Sequence, residues 1–226
     1  MIYLLDTANT SEMSRLFDLY PIDGVTTNPS IIALEQKPFK KQVMEIRKVI
    51  GEQAMLHVQP ISSKTEDMVA DSLKYRDLFK GNFYAKIPVT PQGIKAMRIL
   101  KEQGVKVTAT AIFTQQQGLI AAKAGADFIA PYVNRLDNIS SDGIGVVSDI
   151  MQFIKAYNFN TKVLAASFKN VEQVHRVSLI GTHAVTTAPE LFEALLYHPL
   201  TEKAVWEFYH DGVPYYDDDE NKEEEK

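Results

Sequence analysis

One lysine stands in the middle of an apolar, strand-like run, NFYAKIPVT at residues 82–90. Ammonium groups are strongly hydrated and seldom buried without a partner, so Lys86 needs a reason to be there. The ordinary reason is a long stem on apolar surface with a head that reaches water. The other strand-like runs weigh against it. In FYAKIP, Phe83, Ala85 and Ile87 share one parity, which leaves Tyr84 and Lys86 on the opposite face. The same alternation selects Asp6 in LLDT, Thr26 and Asn28 in GVTTNP, and Gln59 in LHVQP with His57 one layer deeper. It selects Thr108 and Thr110 in VTATAIF, and Tyr132 in FIAPYVNR with Arg135 in the following loop. In VLAASFK it selects Ser167, with Lys169 beyond. Each of these alone is more often structural; together they place an amine, a carboxylate, a phenol, amides and hydroxyls at one rim.

The amine is the distinctive group. A free lysine, with a pKa near ~10.4, is almost wholly protonated at pH 7. Withdrawal from water disfavours the cation and brings some catalytic lysines to about 7–8. A neutral amine attacks a ketone and forms an iminium, which draws electrons from the adjacent carbon–carbon bond. That chemistry calls for no metal and no cofactor. The five histidines (57, 175, 183, 198, 210) are scattered, and no His/Asp/Glu set has metal-ligand spacing. No GxSxG elbow or Ser/His/Asp triad is evident. Arg135, Ser167 and backbone donors at the start of the next helix suit a phosphate at the far end of a substrate.

Positioning these groups takes eight strands. The candidate strands are 2–7, 24–29, 55–60, 83–88, 106–113, 127–133, 162–168 and 183–188. Segments with helical spacing alternate with them, among them SEMSRLFDLY, KKQVMEIRKVI and PQGIKAMRILKEQG. Strict alternation implies a parallel sheet. No glycine follows the first strand as a dinucleotide fingerprint requires. Eight units in about 200 residues match a compact (β/α)8 TIM barrel, whose sites lie at the C-terminal ends of the strands. The segment TEKAVWEFYHDGVPYYDD (201–218) predicts an additional C-terminal helix, with Trp206, Phe208, Tyr209, Tyr215 and Tyr216 needing cover from the barrel or a neighbouring subunit. The expected organisation is one barrel domain, helix included, over 1–212 and an acidic, disordered tail over 213–226.

Composition sets the class. The 226 residues are 45% hydrophobic and 23% charged, as in ordinary globular proteins. The net charge of −5 lies wholly in the last ten residues, DDDENKEEEK, so residues 1–216 are balanced and give nucleic acid no long-range attraction. There is no Cys, which excludes disulfides and thiolate chemistry and favours a reducing compartment. MIYLLDTANT lacks a basic n-region, and no apolar segment approaches the roughly 20 residues of a membrane span. A cytoplasmic protein without a membrane partner is expected.

Several segments resemble the transaldolase superfamily, and within it the small subgroup of fructose-6-phosphate aldolases and transaldolase-like proteins. They are LLDTANT, DGVTTNPSII, KIPVTPQGIKA, AGADFIAPYVNRLD and VLAASFKN. The resemblance runs from the first strand to about residue 205. It implies a Schiff-base aldolase with Lys86 as nucleophile and Asp6 among the proton-handling groups. It implies that Asn28, with Thr26 nearby, binds hydroxyls of a dihydroxyacetone unit. Gln59, Thr110 and Tyr132 position a proton-shuttling water, with Tyr132 the acid/base, and Arg135 and Ser167 bind the substrate phosphate. It also implies a homo-oligomer, a pentamer or decamer, whose C-terminal helix reaches a neighbour.

Two positions separate the reactions within this resemblance. Transaldolases of the family resemble this chain but carry Glu at the position of Gln59 and Phe at that of Tyr132; the aldolase subgroup has Gln and Tyr. An amide cannot ionise, whereas a phenol can protonate a bound enamine and so release dihydroxyacetone. The expected reaction is reversible cleavage of fructose 6-phosphate to dihydroxyacetone and glyceraldehyde 3-phosphate. The alternative is transfer of the dihydroxyacetone unit to erythrose 4-phosphate.

Overall fold

The computed structural model describes residues 1–216. Eight strands form a closed, wholly parallel barrel in chain order: β1 (Ile2–Asp6), β2 (Gly24–Thr26), β3 (Met55–Val58), β4 (Phe83–Pro88), β5 (Lys106–Ile112), β6 (Phe128–Pro131), β7 (Lys162–Ala165) and β8 (Ala184–Thr187). The ring closes where β8 pairs with β1, Leu4 opposite Thr186. The helices are α1 (Thr10–Leu19), α2 (Pro29–Leu34), α3 (Phe39–Ile50), α4 (Thr65–Phe79), α5 (Pro91–Glu102), α6 (Gln115–Lys123), α7 (Val133–Asp137), α8 (Gly143–Ala156), α9 (Val171–Leu179), α10 (Pro189–Ala194) and α11 (Pro199–Tyr216). This is the (β/α)8 barrel with a C-terminal helix that the alternating pattern predicts.

Period-two alternation divides each strand between two cores. Leu4, Tyr84, Phe128, Ala130, Leu164, Ala166 and Ala184 fill the barrel interior. Residues of the other parity, such as Leu5, Val25, Ala85, Ile87, Val107 and Ile129, are buried on the helix side. Several helices begin immediately past a strand end with their own cap. Asn9 caps α1, Asn28 caps α2, Thr90 caps α5, Asn170 caps α9, and Thr114 with Gln117 forms a capping box on α6. A cap is worth about 1 kcal/mol and fixes where the chain leaves the rim. At Gly93 a side chain would collide with the carbonyl of Pro88, so only glycine lets the first turn of α5 approach the end of the Lys86 strand so closely.

Two departures from simple alternation matter at the rim. Between β5 and β6 the register runs Ala109–Ile129 and then Ile112–Pro131, so β5 carries one residue more than its partner. Ala111 absorbs the bulge in a left-handed conformation, φ 59°. Ser167, just past β7, also has a left-handed backbone, φ 60°. Non-glycine residues enter this region at a cost of about 1–2 kcal/mol.

The described chain comprises a unit from Met1 to Phe192, which holds the barrel, and a second from Glu193 onward. In the second, α11 has no buried residue, and Trp206 stacks on His210 with ring centroids 3.9 Å apart. The helix continues through Tyr216, past the boundary at 213 expected from charge; Val213, Tyr215 and Tyr216 precede the acidic run, which begins only at Asp217. The rest of the expected disordered tail, 217–226, lies outside the described residues. No described helix is long and apolar enough to cross a membrane.

Candidate active site

Lys86 is 4% exposed, and its Nζ donates to the carbonyl of Thr27 at 3.0 Å. That carbonyl is held in place: the Thr27 amide and hydroxyl both bond the carbonyl of His57, at 3.0 and 3.1 Å. The amine therefore rests on a fixed backbone acceptor between β2 and β4 instead of reaching water, and among the described residues no carboxylate forms an ion pair with it. Below it, the His57 ring stacks on Tyr84 at 4.4 Å and 6°, and its Nδ1 lies 2.8 Å from Thr108 Oγ1. Burial, and then the charge of Lys86, hold the His57 imidazole well below its ordinary pKa. It is neutral at physiological pH, and its Nε2 has no hydrogen-bond partner among the described residues.

Asp6 ends β1 and receives the Thr26 hydroxyl on Oδ1 at 2.7 Å. Thr26 Oγ1 also lies 2.7 Å from Thr186 Oγ1. The single Thr26 hydrogen is committed to Asp6, so Thr186 must donate to Thr26. The chain Thr186→Thr26→Asp6 has one direction. Asn28 has a structural duty as well: its Oδ1 accepts the amide of Ile31 as the cap of α2.

Thr110 is fully buried and lies 2.9 Å from the Tyr132 hydroxyl. Phe113, turned toward the mouth by the bulge, meets the Tyr132 ring edge-on at 5.5 Å, and the Arg135 guanidinium lies over the same ring at 4.9 Å. Arg135 is not on a loop: it belongs to the five-residue helix α7, which starts directly after Tyr132. The Asn134 amide donates to the Ser167 carbonyl at 2.7 Å, so the Arg135 helix is joined to the Ser167 turn. Gln59 lines a cavity of about 370 Å³ with Pro29, Pro88 and Thr90, and makes no hydrogen bond to Thr110 or Tyr132.

Most of the predicted residues thus fall into three connected groups: Lys86 on Thr27, Asp6 with Thr26, and Thr110–Tyr132–Arg135 joined through Asn134 to Ser167; Asn28 and Gln59 are bonded to none of them. Sequence reasoning missed Thr186, although the parity of AVTT places it inward as surely as it does Ala184. It also missed Thr27, whose contribution is a main-chain carbonyl and leaves no mark in residue type. Among the described residues no group of three His, Asp or Glu side chains is arranged to hold a metal ion.

A family model described as transaldolase/fructose-6-phosphate aldolase matches residues 3–224. A protein of Streptococcus pneumoniae named probable fructose-6-phosphate aldolase is 40% identical over 212 residues, 93% of this chain and 96% of that one. Probable transaldolases of Lactiplantibacillus plantarum and Kosmotoga olearia are 36% and 39% identical, over 93% and 95% of this chain and 96% and 97% of theirs. A solved structure, the 3,6-anhydro-D-galactonate cycloisomerase of Zobellia galactanivorans, matches with a TM-score of 0.57 at 13% identity. It covers 83% of this chain and 52% of that one, a likeness of fold alone. The chain belongs to the transaldolase/fructose-6-phosphate aldolase family.

Proposed function

We propose that this chain is a Schiff-base aldolase that cleaves fructose 6-phosphate reversibly to dihydroxyacetone and glyceraldehyde 3-phosphate. The observation that carries the reading is the Tyr132 hydroxyl, 2.9 Å from Thr110 at the rim of the barrel that buries Lys86. Lys86 Nζ adds to the C2 carbonyl, and loss of water gives the iminium. Asp6, with Oδ1 held by Thr26, takes the C4 hydroxyl proton on Oδ2 as the C3–C4 bond breaks. The bonding electrons flow into the iminium, glyceraldehyde 3-phosphate departs and an enamine remains. Tyr132 protonates the enamine at C3, directly or through a water placed by Gln59 and Thr110. Hydrolysis of the resulting iminium frees dihydroxyacetone and Lys86. Arg135 and Ser167 bind the phosphate, and Asn28 Nδ2 and Thr26 serve the hydroxyls of the three-carbon unit. The exposed aromatics of α11 support a homo-oligomer in which a second copy covers them.

Transaldolase turnover is the second reading, favoured by the names of several relatives. It follows if the enamine outlives its protonation and meets an aldose phosphate. Incubation with fructose 6-phosphate, with and without erythrose 4-phosphate, separates the two. Free dihydroxyacetone in the absence of acceptor supports the aldolase; sedoheptulose 7-phosphate formed only with acceptor, and no free dihydroxyacetone, overturns it.

A further inference from the structure

The two residues assigned to the phosphate stand on separate segments, Arg135 on α7 and Ser167 on the turn between β7 and α9. One buried side chain grips both. Gln173, 8% exposed in the first turn of α9, donates from Nε2 to Asp137 Oδ2 at 2.6 Å and to Asn134 Oδ1 at 3.3 Å. Its Oε1 accepts the amide of Lys169 at 2.7 Å, and its own amide donates to the Asn170 cap at 2.9 Å. Asn134 and Asp137 flank Arg135 on either side. Lys169 and Asn170 follow Ser167 within the same turn. Both amide hydrogens of Gln173 are thus spent on the Arg135 helix and its amide oxygen on the Ser167 turn.

We propose that Gln173 is a positioning residue that sets the separation of Arg135 from Ser167 and thereby the enzyme's preference for phosphorylated substrates. A five-residue helix holds little order of its own, because nucleation fixes several residues for one or two internal hydrogen bonds. It needs an external anchor. Asp137 is also tied by Oδ1 to the Gly143 amide at 3.0 Å, so the carboxylate that Gln173 grips is itself fixed to the start of α8. The bond to Asp137 is charge-assisted and is the shorter of the two, which makes it the main restraint. Two adjacent backbone bonds, from the Val133 amide to the Ala166 carbonyl at 2.9 Å and from the Asn134 amide to the Ser167 carbonyl at 2.7 Å, join only the first residues of α7 to the turn. Through Asp137, Gln173 ties the far end of the short helix to the same turn, so that Arg135 lies between two anchors. Ser167, strained at φ 60°, is held against relaxation by the same grip on Lys169.

This inference rests on the phosphate role proposed above, and the test keeps the two apart. Dihydroxyacetone is condensed with glyceraldehyde 3-phosphate or with unphosphorylated glyceraldehyde, by the unaltered enzyme and by Gln173→Met, Asp137→Asn and Arg135→Ala. Gln173→Met keeps the volume and removes every side-chain bond. It should raise KM for glyceraldehyde 3-phosphate about tenfold, as for a charged ligand moved off line. Turnover of glyceraldehyde, and borohydride trapping of dihydroxyacetone on Lys86, should stay within about twofold. Asp137→Asn retains an acceptor without the charge and should shift KM in the same selective direction by less; it decides the matter if Gln173→Met does not fold. Equal loss of both acceptors in these variants, or no change in either, overturns the clamp while a selective Arg135→Ala upholds the phosphate role. An Arg135→Ala enzyme that loses both acceptors equally removes the phosphate role and the clamp with it.

Discussion

Replacing Tyr132 by Phe removes one oxygen and little else. The ring keeps its edge contact with Phe113 at 5.5 Å and its place under the Arg135 guanidinium at 4.9 Å. The fully buried Thr110 hydroxyl loses its partner at 2.9 Å, which costs on the order of 1–3 kcal/mol of stability. Loss of a general acid slows the step it serves by about 10²–10⁴-fold, or roughly 3–5 kcal/mol of barrier. Release of dihydroxyacetone should therefore fall far more than KM for fructose 6-phosphate moves, because Arg135 and Ser167 are untouched. Formation of the Schiff base on Lys86 precedes the missing proton and should persist. An enamine that waits longer for a proton is open to capture by an added aldehyde. The ratio of sedoheptulose 7-phosphate to free dihydroxyacetone, with erythrose 4-phosphate present, should rise in Tyr132→Phe and rise further with Gln59→Glu. An unchanged ratio with cleavage at the normal rate would refute the assignment and turn attention to Asp6.

Thr186→Val deletes the hydroxyl that must donate to Thr26, and loss of about one hydrogen bond of orientation should lower kcat about tenfold with little change in KM. Thr186→Ser should restore it; equal rates in all three enzymes would dismiss the directed chain to Asp6. His57 predicts an acid-sensitive fold. Its native pKa is depressed below the ordinary 6.5 by burial and by Lys86, so below that pH the unfolded chain takes up a proton that the native state refuses. The stability is fully present above about pH 6.5 and is lost as pH falls, by up to about 1.4 kcal/mol per unit. Urea unfolding from pH 7 to 5 should show that slope flattened in His57→Phe, and parallel slopes would contradict the burial of a neutral imidazole.

The barrel was legible because its signal is repeated. Eight runs of alternating polarity, each followed by helical spacing, leave few other architectures, and the same parity that buries Ala85 and Ile87 on one side turns Lys86 to the other. What stayed hidden is local or shared between distant segments. Nothing in KVTATAIF announces a bulge at Ala111, since alanine is not a residue that marks left-handed backbone. Helix α7 is too short to show a period, so Arg135 read as a loop residue. Thr186 carries no charge and looked like ordinary strand threonine until its hydroxyl met Thr26. No residue pattern marks Gln173, because its side-chain bonds reach across the 36 positions that separate it from Asp137. Asn28 was selected for chemistry alone, whereas half of its side chain serves as the cap of α2.

The central claim is that a covalent iminium forms on one particular amine. Fructose 6-phosphate or dihydroxyacetone is incubated with the enzyme, sodium borohydride is added, and the protein is digested for peptide mass spectrometry. Hydride converts the C=N bond to a stable secondary amine, so one three-carbon unit should be found on Lys86 and on no other lysine. Lys86→Met should abolish labelling and turnover together, with its thermal unfolding still cooperative. A label on a different lysine, or full turnover in the Lys86→Met enzyme, would contradict it.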